Sequence, residues 1–220
     1  LHYAPDNASL CVRLALEEMG LSYDAVLVDR RTKQQKSPGH LALNPNGLIP
    51  VLETPDGAMF ETGAILLWLA DRHGQLVPPP DSPDRAAFLT WLFWLSNTLH
   101  PALRMLFYPE QHTLLAIREL RDVTKTRIAR QLALLDQAPT DWLDRPSILS
   151  CYAAPMLRWL ALYPQGQTDW FDLSAYPRLH RIALMMEDRR SAQAAMAAEG
   201  LGATPFSTPT YPNPPEGSAL

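Results

Sequence analysis

Apolar residues in the stretch ASLCVRLALEEMG, from Ala8 to Gly20, recur at helical spacing and stop at a glycine, which predicts a first helix. A short strand, LHYA, precedes it, and the strand-like run YDAVLV follows. KSPGHLALNPNG then closes a second helical stretch in the loop cluster Asn44, Pro45, Asn46 and Gly47. IPVL and AMFE flank the turn TPDG as a hairpin. TGAILLWLADRHG predicts a third helix, capped by Thr62 and ended by Gly74. The order β-α-β-α-β-β-α describes an α/β unit.

From LVPPPDSPD onward the pattern becomes almost wholly helical, so this proline-rich link reads as a domain boundary. The expected organisation is an α/β domain over 1–76, a linker over 77–83, an all-α helical domain over 84–200 and a tail over 201–220. Ser82, Pro83 and Asp84 form a helix start, and Phe88, Leu89, Leu92, Phe93, Leu95 and Leu99 mark its buried stripe. Further helices are expected near 112–137, 147–162, 177–188 and 191–199. Pro101 lies inside the helical pattern, where it removes the bond to the Asn97 carbonyl. A kink or break near 97–101 is the expectation, opening a pocket wall with Met105, Leu106 and Tyr108 beyond it. Ser147 can cap its helix, but Ser150 three residues on predicts a weakened capping box. The tail is too rich in proline and too poor in aliphatics to pack by itself, and reads as extended along the surface or disordered.

Composition narrows the classes without choosing among them. The 220 residues carry a formal charge of -4, which gives no electrostatic footprint for nucleic acid, and no apolar run approaches a membrane span. Neither nucleic acid nor membrane is expected as a partner. Cys11 and Cys151 form no CxxC pair and no metal-ligand spacing, which fits a reduced, cytoplasmic setting. No charged leader or apolar signal segment opens the chain at Leu1.

Pro50, between Ile49 and Val51 in PNGLIPVLE, is out of place in a strand interior. Alone it reads as the start of an edge strand, or as a cis peptide in a tight turn. With NPNGLIPVL, ETGAILLWLAD, PSILSCYAAPMLRW and EDRRSAQAAMAAEGL in this order, the chain resembles the cytosolic glutathione transferase family, of bacterial type, up to about Leu201. The resemblance implies a thioredoxin-like N-terminal domain, an all-α helical C-terminal domain and a homodimer. It also implies glutathione as co-substrate, paired through the backbone of Ile49 before a cis Pro50, with its γ-glutamyl carboxylate at Thr62 and its ammonium at Glu61. Lys33 would pair with the glycyl carboxylate, and His100 would reach the sulfur site, although Pro101 stands where the beta class has lysine.

The thiolate of glutathione needs a nearby donor and the N-terminus of the first helix. In HYAPDNASLC, Tyr3 matches the position used by tyrosine classes, and Ala8 falls where the beta class has its cysteine. Ser9 is the favoured catalytic donor, with Tyr3 and Asn7 as alternatives. Cys11, a turn into the helix, reads as a packing residue. The implied function is transfer of the glutathione thiolate to a small hydrophobic electrophile. The alternatives are a glutathione-dependent peroxidase, isomerase or dehalogenase, and a non-catalytic glutathione-binding, ligand-carrying or interaction protein. The alanine at position 8 argues against disulfide exchange.

Overall fold

In a computed structural model that describes residues 1–213, the first third of the chain forms a four-stranded mixed sheet in the order β2-β1-β3-β4. Strands β1 (His2–Tyr3) and β2 (Val26–Leu27) pair in parallel across helix α1 (Ser9–Glu18). Strand β3 (Val51–Thr54) runs antiparallel to β1, and β4 (Gly57–Phe60) returns beside β3 through the predicted hairpin turn. Helix α2 (Pro38–Leu43) lies between β2 and β3, and α3 (Thr62–His73) closes the unit. This is the thioredoxin-like arrangement, and the helical remainder completes the fold class that the sequence predicts.

Helix α3 begins differently from the expectation. Thr62 is its first helical residue and not its cap. Glu61 occupies the cap position with φ 72°, a left-handed backbone that non-glycine residues seldom adopt, and its side chain caps nothing. The hydroxyl of Thr62 instead lies beside the Tyr152 phenol.

The rest of the chain is helical: α4 (Arg85–Trp94), α5 (His100–Phe107), α6 (Ile117–Asp136), α7 (Ile148–Leu162), α8 (Pro177–Glu187) and α9 (Arg190–Glu199). Helix α4 starts at Arg85, because Ser82 and Asp84 form a turn in which the Asp84 N–H donates to Ser82 Oγ. The chain does not break at Pro101. Leu95–Leu99 winds into a π-helical turn that joins α4 to α5, with the His100 N–H reaching back to the Leu95 carbonyl. The wider turn accommodates the N–H that Pro101 lacks, so the backbone stays helical while the side chains after it are re-aimed.

Helix α7 is apolar apart from Ser150 and Arg158 and is buried at every residue except Ala161, as a helix at the centre of a domain must be. Its capping box is complete: the Ser147 N–H donates to Ser150 Oγ at 3.0 Å, and Ser147 Oγ accepts from the Ser150 N–H at 3.3 Å. A serine hydroxyl thus performs the reciprocal bond that a longer acidic side chain usually makes. Around α7 pack α1, α3, α4, α5 and α8, so the two halves of the chain share one apolar core.

The described part of the tail turns at residues 205–207 and is anchored. Phe206 is fully buried, and the Glu187 carboxylate accepts the N–H groups of Phe206 and Ser207 at 2.7 and 2.6 Å. At the end of α9, Gly200 holds φ 65°, and a β-carbon there would fall 2.0 Å from the Asn213 carbonyl oxygen. The last seven residues of the expected tail lie outside the described residues. No helix among the described residues is long and apolar enough to cross a membrane.

Candidate functional site

The sheet, the start of α3 and the α4–α5 junction converge on a cleft of 370 Å³ between the two halves of the chain. On the sheet side Ile49 and Pro50 form its edge, with the Ile49–Pro50 peptide cis, and Glu61 and Thr62 form one end. Asp6, Asn7 and Ala8, in the loop from β1 to α1, form the floor. His100, Pro101, Arg104, Phe107, Tyr108 and Trp159 form the helical wall. Of the residues expected beyond the bend at Pro101, Tyr108 lines the cleft while Met105 and Leu106 do not. The π turn directs Arg104 and Phe107 to it instead.

The predicted site residues divide into two groups. Ile49, Pro50, Glu61, Thr62, His100 and Asn7 line one cavity. Ser9, Tyr3 and Lys33 do not. The Ser9 hydroxyl is fully buried under the loop, donating to the Ala4 carbonyl at 3.2 Å and accepting the Ala4 N–H at 3.3 Å. Its position in the first turn of α1 points it back across the loop, so it braces the β1–α1 connection. The Tyr3 ring lies under the guanidinium of Arg13, 4.5 Å from ring centroid to Cζ. Lys33 is exposed in a left-handed turn ahead of a short 3₁₀ segment. Asn7 accepts the Ala8 N–H on its Oδ1 at 2.9 Å, which leaves its carboxamide N–H groups without a partner among the described residues.

His100 is held by Tyr152, whose hydroxyl lies 2.9 Å from Nδ1, and by Trp159, whose ring centroid is 5.7 Å away. Burial, with the nearby Arg104 charge adding to it, lowers its pKa to about 4. The ring is therefore neutral at physiological pH and serves as a hydrogen-bonding group, not as a cation. Burial raises the Tyr152 phenol well above its usual range, with the Ser96 and Thr62 hydroxyls beside it. Because the folded pKa lies below that of a free histidine, the unfolded chain takes up the proton first as pH falls. His100 therefore costs stability on acidification from about 6.5 to about 4. The difference in unfolding free energy between wild type and His100→Gln should shift in the variant's favour by roughly 2–3 kcal/mol between pH 7 and pH 4 in denaturant titrations. A pH-independent difference would contradict a neutral buried ring.

Sequence reasoning found Asn7 and Ala8 on the floor of the cleft but missed Asp6 and the ion pairs beneath it. Asp6 holds φ 54° and is fully buried, with its carboxylate facing the Arg158 guanidinium at 2.7 and 3.1 Å. Trp159 Nε1 and the Tyr163 hydroxyl also donate to it, at 2.9 and 2.7 Å. The Asp6 N–H donates to Glu199, which pairs with Arg13 at 2.7 Å. Burial lifts the pKa of Glu199 to about 7 against the pull of Arg13. The loop under the cleft is thus fastened to α7 and α9 by direct bonds between buried charged groups. The one sequence signal was arginine and aspartate in apolar surroundings, because such residues are seldom fully buried unless paired. Cys11 and Cys151 are both buried, and burial pushes both thiols well up, so neither offers a thiolate to the cleft. Among the described residues no cluster of histidine, cysteine or acidic side chains forms a metal site.

Known proteins share this arrangement. Residues 1–71 match the family model for the glutathione S-transferase N-terminal domain. The glutathione S-transferase GstA of Escherichia coli O157:H7 is 28% identical over 209 residues, spanning 91% of this chain and 98% of that protein. The disulfide-bond oxidoreductase YfcG of Escherichia coli K12 is 38% identical over 110 residues, and the match spans 51% of that protein. A sphingomonad glutathione S-transferase, solved in complex with glutathione, superposes with a TM-score of 0.75 at 30% identity, covering 92% of this chain and 99% of that one. Likeness over the full length of both halves, with the cis-proline edge and the α3 N-terminus at one cleft, places the chain in the glutathione S-transferase family.

Proposed function

We propose that the protein binds glutathione in this cleft and transfers its thiolate to small hydrophobic electrophiles. One observation carries the reading: an extended backbone edge at Ile49 and a helix N-terminus at Thr62 meet in a cleft whose far wall is aromatic. A short peptide adds to such an edge as an extra strand. The free N–H groups at the start of α3 and the Thr62 hydroxyl receive its γ-glutamyl carboxylate, and Glu61 receives its ammonium.

That placement brings the cysteinyl thiol to the floor at Asn7 and Ala8, where α1 begins. Asn7 is the donor we assign to the thiolate, in preference to Ser9 and Tyr3, because its carboxamide lines the cleft with N–H groups to spare. The thiol loses its proton to solvent. The sulfur then forms a bond to the electrophilic carbon, and the leaving group departs with the electron pair. The neutral His100 and the rings of Phe107, Tyr108 and Trp159 supply the wall against which an apolar acceptor sits. No protein thiol opens to the cleft, so a mixed disulfide with the enzyme forms no part of this reading. Lys33 stays outside the cleft and takes no role in it.

The family's homodimer belongs to the same proposal. A groove of 810 Å³ between α3 and α4, lined by Leu67, Trp68, Leu92 and Phe93, is the surface that we assign to the second copy. Phe93 leaves 54% of its surface exposed there. A cytoplasmic location agrees with two free cysteines.

Calorimetry of glutathione binding in buffers of different ionisation enthalpy tests the site. Wild type should bind and release close to one proton near neutral pH. Asn7→Ala should bind with release largely lost, whereas Ser9→Ala should release as wild type does. Proton release that disappears with Ser9→Ala and survives Asn7→Ala would reverse the assignment.

A further inference from the structure

Among the side chains that line the cleft, Arg104 is the single cation, and nothing in the transfer reaction described above requires it. It lies one turn beyond His100, on the same face of α5. Its described partner is the Tyr108 ring, over which the guanidinium stands 5.4 Å from the centroid. Such stacking occupies the flat face and leaves the N–H edge available. None of the ion pairs among the described residues includes it. Of the two acids that line the cleft, Asp6 faces Arg158 and Glu61 stands at the α3 end, and no ion pair joins either to Arg104.

A partly buried guanidinium with no ion-pair partner, set in an aromatic wall, is a ready contact for an anionic group. The wall is also the one opposite the edge that holds glutathione, so an anion there belongs to the second substrate. Resting on the proposed transfer activity, we infer that Arg104 is a specificity-determining residue selecting electrophiles that carry a carboxylate beside an aromatic or other apolar body. The apolar part packs on Phe107, Tyr108 and Trp159, and the carboxylate takes the guanidinium edge in a forked pair. His100, neutral and bonded to Tyr152, does not compete for the carboxylate. In the product, the same contact holds the conjugate by the acceptor's own charge.

The test compares matched ligands. Chlorodinitrobenzene and a chlorodinitrobenzoate serve as acceptors. The S-aryl glutathione conjugates bearing a carboxylate or its neutral carboxamide serve as calorimetric probes that need no turnover. Wild type should bind the carboxylate conjugate at least tenfold more tightly than the carboxamide at low salt, with the ratio shrinking as ionic strength rises. Arg104→Met should cut that ratio, and the corresponding ratio of kcat/KM values, by at least tenfold, with Arg104→Lys in between. If both conjugates weaken together in Arg104→Met, the residue serves glutathione itself and the inference fails. A wild-type ratio near one would also overturn it, whatever the variants do. Failure of both conjugates to bind wild type would instead sink the transfer reading on which the inference stands.

Discussion

Arg158→Met is expected to destabilise the protein by about 3–5 kcal/mol, a large fraction of the roughly 5–15 kcal/mol by which a domain of this kind is stable. Arg158 is fully buried. Besides the Asp6 carboxylate it serves three carbonyls of the tail, those of Leu201, Pro205 and Thr210, at 3.2, 3.1 and 2.8 Å. Its removal strands a buried carboxylate and the two buried carbonyls of Leu201 and Pro205 at once, and frees the more exposed Thr210 carbonyl. Trp159 and Tyr163 still donate to Asp6, but neither supplies charge. Adding Asp6→Asn to Arg158→Met removes the uncompensated charge, so the double variant should recover part of the loss. The coupling read from a double-mutant cycle in urea unfolding should be well above 1 kcal/mol. Additive losses would mean that the two charges are stabilised independently. Because Asp6 adjoins Asn7, the same variant should also weaken glutathione binding in whatever fraction remains folded.

Thr62→Val is expected to lower glutathione affinity by roughly 10- to 100-fold, the equivalent of one hydrogen bond to a charged group. Valine keeps the volume of threonine and removes only the hydroxyl, and Thr62 is a buried residue in the first turn of α3. The backbone N–H groups of that turn remain, so binding should be weakened and not abolished. Thr62→Ser, which restores the hydroxyl, should bind within about threefold of wild type. Calorimetry on the three proteins at one pH decides the matter. An affinity for Thr62→Val within twofold of wild type would move the γ-glutamyl carboxylate away from α3.

The order of elements was legible because apolar spacing, glycine stops and the hairpin turn all act locally. The expectation for α7, at 147–162, matches Ile148–Leu162, and that for α9, at 191–199, matches Arg190–Glu199. The structure departs from the expectations where a side chain's direction or a distant partner is not written in the local pattern. Ser9 resembled a site residue because position along the chain says nothing of which way a first-turn hydroxyl points; its partner is the Ala4 backbone behind it. Lys33 had the right charge at a plausible spacing, but the loop carries it outward. A lone proline foretells a disturbance and not its form, so the expected kink or break appears as the π turn at Leu95–Leu99. Asp6 and Arg158 are 152 residues apart, and no local pattern links them. The tail was judged by its own composition, whereas Phe206 packs into a core built by other segments. Thr62 was found, but as the first residue of its helix behind the left-handed Glu61, with its hydroxyl beside the Tyr152 phenol.

The central claim is that the cleft holds glutathione with its thiol ionised at the floor formed by Asn7 and Ala8. Titrating the ultraviolet thiolate band of glutathione bound to the wild-type protein tests this directly. The account predicts that the bound thiol ionises at least one pH unit below the value of about 8.5 expected for a free thiol. Saturable binding with a thiol that titrates as it does in solution would contradict the account and leave a protein that holds glutathione without activating it.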